Sequence, residues 1–111
     1  TVTEPFPVPT GGAGWGVTRA DIDNYNAARA KEAETMLASI KTTAEKMGIE
    51  LETIHVPGSR AASAILEVAE QVGCNLIVMA SHGRRGVKRL ILGSQAAEVV
   101  SSSSVPVLVI R

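Results

Sequence analysis

The strongest constraint on the fold of this chain is an alternation of helical patterns with short apolar runs. In chain order we predict three helices and three strands, at residues 23–47, 49–56, 60–72, 75–81, 93–102 and 105–110, beginning with a helix. Regular alternation of this kind is typical of parallel sheets joined by right-handed crossovers, with helices on both faces. The sequence therefore predicts the α/β fold class.

The three strands differ in how we expect them to be covered. Residues 75–81, NLIVMAS, are almost all apolar, which is typical of a strand buried on both faces. Residues 49–56, IELETIHV, alternate apolar and polar side chains, which indicates one wetter face. Pro106 lies at the start of the last strand, where its missing N–H is tolerated.

The ends of the helices carry their own signals. Asp21 or Asp23 is predicted to cap the first helix, and Gly48 to end it. Ser59 is predicted to cap the helix at 60–72. Prolines and glycines crowd residues 4–20, which indicates a flexible loop.

The composition bounds the class of protein. The 111 residues are enough for one domain over 1–111, with an aliphatic core. Eleven basic residues balance eleven acidic ones, which argues against broad electrostatic binding of nucleic acid or of an anionic membrane. The single Cys74 fits a reducing cytoplasm, and no His, Cys and carboxylate cluster has metal-ligand spacing.

One segment concentrates positive charge and glycine. Arg84, Arg85, Lys88 and Arg89 fall within six positions, directly after an apolar strand. Ligands of open α/β sheets bind beyond the carboxyl ends of the strands. Gly83 and Gly86 allow the backbone to approach a ligand closely, and Gly93-Ser94 opens a helix whose first N–H groups favour an anion. This combination suits a phosphorylated ligand, while a plain turn with solvated arginines explains it equally well.

These residues resemble a known family. The stretch IVMASHGRRGVKRLILGS, followed by VPVLVIR, is similar to the universal stress protein family. Its nucleotide-binding members carry a glycine, two residues, a second glycine, nine residues, a third glycine, and then Ser or Thr. This chain has Ala80, Gly83, Gly93 and Ser94 at that spacing, so it departs from the pattern at Ala80, whose methyl would crowd the ribose or phosphate region.

The resemblance implies a Rossmann-like or flavodoxin-like sheet of five parallel strands in the order 3-2-1-4-5. It also implies ATP as the ligand, with or without Mg²⁺. The residues that would line its ribose and phosphates are Ala80, His82, Gly83, Arg84, Arg85 and Gly86, with Gly93, Ser94 and Gln95 holding phosphates at the helix start. A homodimer is expected through the last strand, which runs from Val105 to Ile110.

The resemblance further implies that the family's first strand and helix would precede Thr1, with TVTEP as the tail of the second strand. We therefore expect these 111 residues not to be a stable monomer by themselves, because strands that lack the central neighbour leave backbone groups unpaired.

Three functions are compared. The first is a regulatory, ATP-binding stress-response protein of the cytoplasm. The second is a dimeric interaction module of the same fold that binds no nucleotide. The third, a weak nucleotide hydrolase, lacks an evident general base or metal-binding carboxylate near the segment, and no residue is predicted to be catalytic.

Overall fold

The computed structural model describes residues 1–7, 16–81 and 92–111, in two compact units, Thr1–Arg60 and Ala61–Arg111. The elements in chain order are α1 (Arg19–Lys46), α2 (Ala61–Gln71), β1 (Ile77–Ala80), α3 (Ser94–Ser102) and β2 (Val107–Ile110). The prediction of a single domain over 1–111 stays a prediction, and the predicted loop at 4–20 lies partly outside the described residues.

In the first unit, helix α1 begins with a reciprocal cap. The Thr18 hydroxyl accepts a hydrogen bond from the Asp21 N–H at 3.2 Å, and the Asp21 carboxylate accepts one from the Thr18 N–H at 2.8 Å. The prediction that Asp21 or Asp23 is the capping residue was wrong, because Thr18 holds that position and Asp21 completes the box from the third helical residue. Gly48, at φ +69°, follows the helix in the left-handed conformation that ends helices, as predicted.

The prediction of a strand at 49–56 was wrong, because the segment forms only one isolated bridge, at its last residue. Val56 forms a parallel bridge with Val2, supported by hydrogen bonds from the Thr3 N–H to the Val56 carbonyl (3.1 Å) and from the Val56 N–H to the Thr1 carbonyl (2.9 Å). A strand requires a neighbour for its hydrogen bonds. Among the described residues of this unit, Val56 alone of the segment has a bridge partner, so the alternation at 49–55 produces no ladder.

The second unit is built around two parallel strands. β1 pairs with β2 in the register Ile77↔Val107 to Ala80↔Ile110. Helices α2 and α3 pack on one face, where Ala62, Ile77 and Val99 form the buried core. Parallel strands joined through a helix, with helices against the sheet, confirm the α/β class.

The other face of this small sheet is open within the part of the chain that the structure describes. Val78 is 53 % exposed, and Leu108 and Ile110 are each 52 % exposed. The prediction that residues 75–81 are covered on both faces is therefore met on one face only. No helix among the described residues is long and apolar enough to cross a membrane.

Candidate functional site

Ser81, the residue after β1, makes main-chain hydrogen bonds to two other segments. The Ser81 N–H donates to the Ile110 carbonyl at 2.8 Å, which continues the pairing of β1 with β2 by one residue. The Ser81 carbonyl accepts from the Gly93 N–H, also at 2.8 Å. The carboxyl end of the strand and the start of α3 are thus joined directly, and the glycine-basic segment of the sequence connects these two joined points.

The first turn of α3 offers uncapped donors. Gly93 precedes the helix and supplies no side-chain hydrogen bond, while its carbonyl accepts from the Ala97 N–H at 2.8 Å. The first N–H groups of a helix have no intrahelical partner, and the aligned peptide dipoles give this end a partial positive charge. Ser94 is the first helical residue and is exposed, so it adds a hydroxyl. This arrangement can bind an anion.

Gln95 makes a contact that the sequence did not indicate. Its side-chain oxygen, Oε1, accepts a hydrogen bond from the Ala62 N–H at 2.9 Å, at the start of α2. The prediction that Ser59 caps α2 was wrong, because α2 begins at Ala61 and Ser59 lies two residues before it, with its hydroxyl donating to the Pro57 carbonyl at 3.3 Å. The acceptor for Ala62 comes from α3 instead, so the first turns of the two helices are linked.

The structure brings together part of the predicted site. Ala80 is the last residue of β1 and lies in register with Ile110, one residue before the tie to α3. Gly93, Ser94 and Gln95 form the start of α3. The remaining predicted site residues, His82, Gly83, Arg84, Arg85 and Gly86, lie outside the described residues, and their roles stay predictions.

Sequence reasoning missed Ser81 as part of the site. Its main chain makes both hydrogen bonds that join β1, β2 and the start of α3. The available signal was its place as the last residue of the apolar run, immediately before the glycine-basic segment. Within the described ranges, no three His, Cys, Asp or Glu side chains come together as metal ligands.

Comparison with known proteins places this chain in a family. The family model for the Universal stress protein family matches residues 1–111. Universal stress protein MJ0531 of Methanocaldococcus jannaschii is 36 % identical over 81 residues, covering 73 % of this chain and 47 % of that protein. Universal stress protein YxiE of Bacillus subtilis is 38 % identical over 81 residues, covering 73 % and 54 %.

A solved structure agrees with the sequence relatives. The structure of hypothetical protein MJ0577, described as a test case for structure-based assignment of biochemical function, superposes with a TM-score of 0.72 at 32 % identity. The match covers 79 % of this chain and 60 % of that chain, so the fold is Rossmann-like α/β. The chain spans about half the length of MJ0531 and YxiE. From the family match and these relatives, the chain belongs to the universal stress protein family.

Proposed function

We propose that this protein binds ATP at the carboxyl end of β1 and the start of α3, and that it acts in the cytoplasm as a regulatory protein. The hydrogen bond from the Gly93 N–H to the Ser81 carbonyl, at 2.8 Å, carries the proposal. It places the uncapped first turn of α3 beside the strand end, which is where ligands of α/β sheets bind. Four basic residues lie in sequence between these two joined points.

The charges favour a phosphorylated ligand over a neutral one. The whole chain has a formal net charge of zero, so attraction for an anion must come from a local group of charges. Helix N–H groups and basic side chains both favour phosphate oxygens, and neither favours a nucleoside without phosphate. The regulatory role is part of the proposal: His82 is the one imidazole among the predicted site residues, and no carboxylate stands among them to orient it as a general base.

The test compares ATP with adenosine, because adenosine has the base and ribose but no phosphate. Calorimetric titration of the whole protein, with and without Mg²⁺, should show binding of ATP and much weaker binding of adenosine. Equal affinity for the two, or no binding of either, would contradict the proposal.

A second candidate function is that of an interaction module which binds no nucleotide and works as a homodimer through its last strand. Two observations favour it. Ala80 stands at the position of the family's first motif glycine, and Leu108 and Ile110 leave an apolar surface on β2. The same titration separates the candidates, since the interaction module predicts no heat with ATP.

A further inference from the structure

We infer that Gln95 is a positioning residue: by capping α2 with its side-chain oxygen, it holds the first turn of α3 in the orientation that phosphates require, and so couples the phosphate site to the start of α2. The inference rests on the proposed function. It assigns to Gln95 a role different from that of a phosphate ligand, which was its sequence-based prediction.

The start of α2 needs an acceptor from outside the helix. Ala62 is the second residue of α2 and is fully buried, at 0 % exposure, so its N–H has neither an intrahelical partner nor ready access to water. Arg60, just before the helix, has a side chain that only donates hydrogen bonds. Ser59 lies two residues before the first residue of α2, outside the capping position. The Gln95 oxygen, at 2.9 Å, therefore fills a place that the local sequence leaves open.

The same bond fixes the orientation of α3. Gln95 is its second residue, so a bond from this side chain to α2 limits the rotation of the first turn about the helix axis. The Gly93 N–H, two residues earlier, is held by the Ser81 carbonyl. Farther along, the buried Ala96 and Val99 fix the helix against the core. Backbone N–H groups turn with their helix, so these contacts together set the direction of the donors at its start.

A direct role and a positioning role make different demands on this side chain. A carboxamide oxygen cannot donate to a phosphate, and in this structure that oxygen is occupied by the Ala62 N–H. A side chain that bound phosphate directly would have to use its amide nitrogen, Nε2, and that contact would not depend on the bond between the oxygen and the Ala62 N–H. A positioning residue links two measurable quantities, the exchange rate of the Ala62 amide hydrogen and the affinity for the phosphate part of the ligand.

The main variant is Gln95→Met, which keeps the length of the side chain and removes its acceptor. In the nucleotide-free whole protein, hydrogen exchange at Ala62 should become faster. The Kd for ATP should rise about tenfold, equivalent to ~1.4 kcal/mol, while the Kd for adenosine stays unchanged. Gln95→Glu keeps an acceptor oxygen, so it should retain the slow exchange at Ala62 and the thermal stability of the wild type.

The matched control is Thr18→Ala, which removes a helix cap in the other unit. It should lower thermal stability and leave the ratio of the ATP and adenosine affinities unchanged, measured well below the melting temperature. A merely structural role for Gln95 predicts that Gln95→Met behaves like this control.

The outcomes separate this inference from the proposed function. A wild type that does not prefer ATP to adenosine overturns both. A wild type that prefers ATP, together with a Gln95→Met variant that keeps the preference, overturns the positioning role alone. Weaker ATP binding with unchanged exchange at Ala62 makes Gln95 a direct ligand and also overturns it. If Gln95→Met does not fold, wild-type exchange decides: saturating ATP should slow exchange at Ala62, and no change there refutes the coupling.

Discussion

Gly93 shows what a missing side chain can contribute at a helix start. Its φ of −60° and ψ of 152° are open to any residue, so the backbone does not require glycine. Serine or aspartate at this position would bind the first N–H groups of α3 with their own side chains. Glycine leaves these N–H groups without a side-chain cap, so they remain available to a phosphate ligand.

We predict that Gly93→Val weakens ATP binding by about tenfold or more, equivalent to ~1.4 kcal/mol, because its branched side chain fills the space beside the donors. Thermal unfolding without ligand should change little, since valine accepts the observed φ and ψ. Gly93→Ser is the matched variant: its hydroxyl should cap α3, raise the melting temperature and compete with phosphate. If affinity and nucleotide-free stability fall together in Gly93→Val, Gly93 is a folding residue.

At the scale of elements, the cap of α1 has a measurable pH dependence. Hydrogen bonds from the backbone N–H and then the hydroxyl of Thr18 lower the pKa of the Asp21 carboxyl below its ordinary value. A group whose pKa is lowered by folding stabilises the protein above its unfolded pKa, and this contribution is lost as the pH falls through the folded pKa. The cap should therefore be intact at neutral pH and weaken in acid.

We predict that Asp21→Asn lowers the melting temperature at pH 7 and that its difference from the wild type disappears as the pH falls below the folded pKa of Asp21. Asp23→Asn is the control, because it removes the same charge from the same exposed turn and leaves the Thr18 bonds intact. The ion pair of Asp23 with Arg19, at 3.9 Å, is exposed to solvent and contributes little to the free energy of unfolding. A difference between Asp21→Asn and wild type that stays constant from pH 7 to strong acid would contradict this account.

The helices show how far the sequence could predict these elements. All three lie near their predicted positions, and an apolar period of 3.6 residues indicated the first two, at 23–47 and 60–72. Their caps were less predictable. Thr18 and Asp21 act as a pair, and α2 takes its acceptor from Gln95, which is 33 residues from Ala62 in sequence. A hydrogen bond across that separation leaves no local pattern to detect.

At the scale of the whole molecule, the parallel pairing of β1 with β2 could be expected from two apolar runs separated by a helix. Pairing is harder to predict where a strand depends on another segment. The alternation at 49–56 predicted a strand, but the hydrogen bonds of a strand depend on which residues lie alongside, and only Val56 has a bridge partner among the described residues. The candidate site was likewise predictable only in part. The glycine motif located the start of α3, but the hydrogen bonds of Ser81 to Ile110 and Gly93 join segments that are distant in sequence and leave no local pattern.

The exposed side of β2 is where we expect the homodimer to form. Within the described residues β2 pairs with β1 alone, and its side chains alternate, with Val107 packed against the core and Leu108 and Ile110 half exposed. An apolar strand with a free edge favours pairing with another chain.

Leu108→Lys places a charge on the exposed side, so it should leave the fold intact by circular dichroism and give a monomer by light scattering. Ile40→Lys, on the 46 % exposed surface of α1, is the matched charge control and should remain a dimer. A monomeric wild type would show that there is no homodimer. A folded Leu108→Lys variant that remains a dimer would show that the dimer interface lies elsewhere.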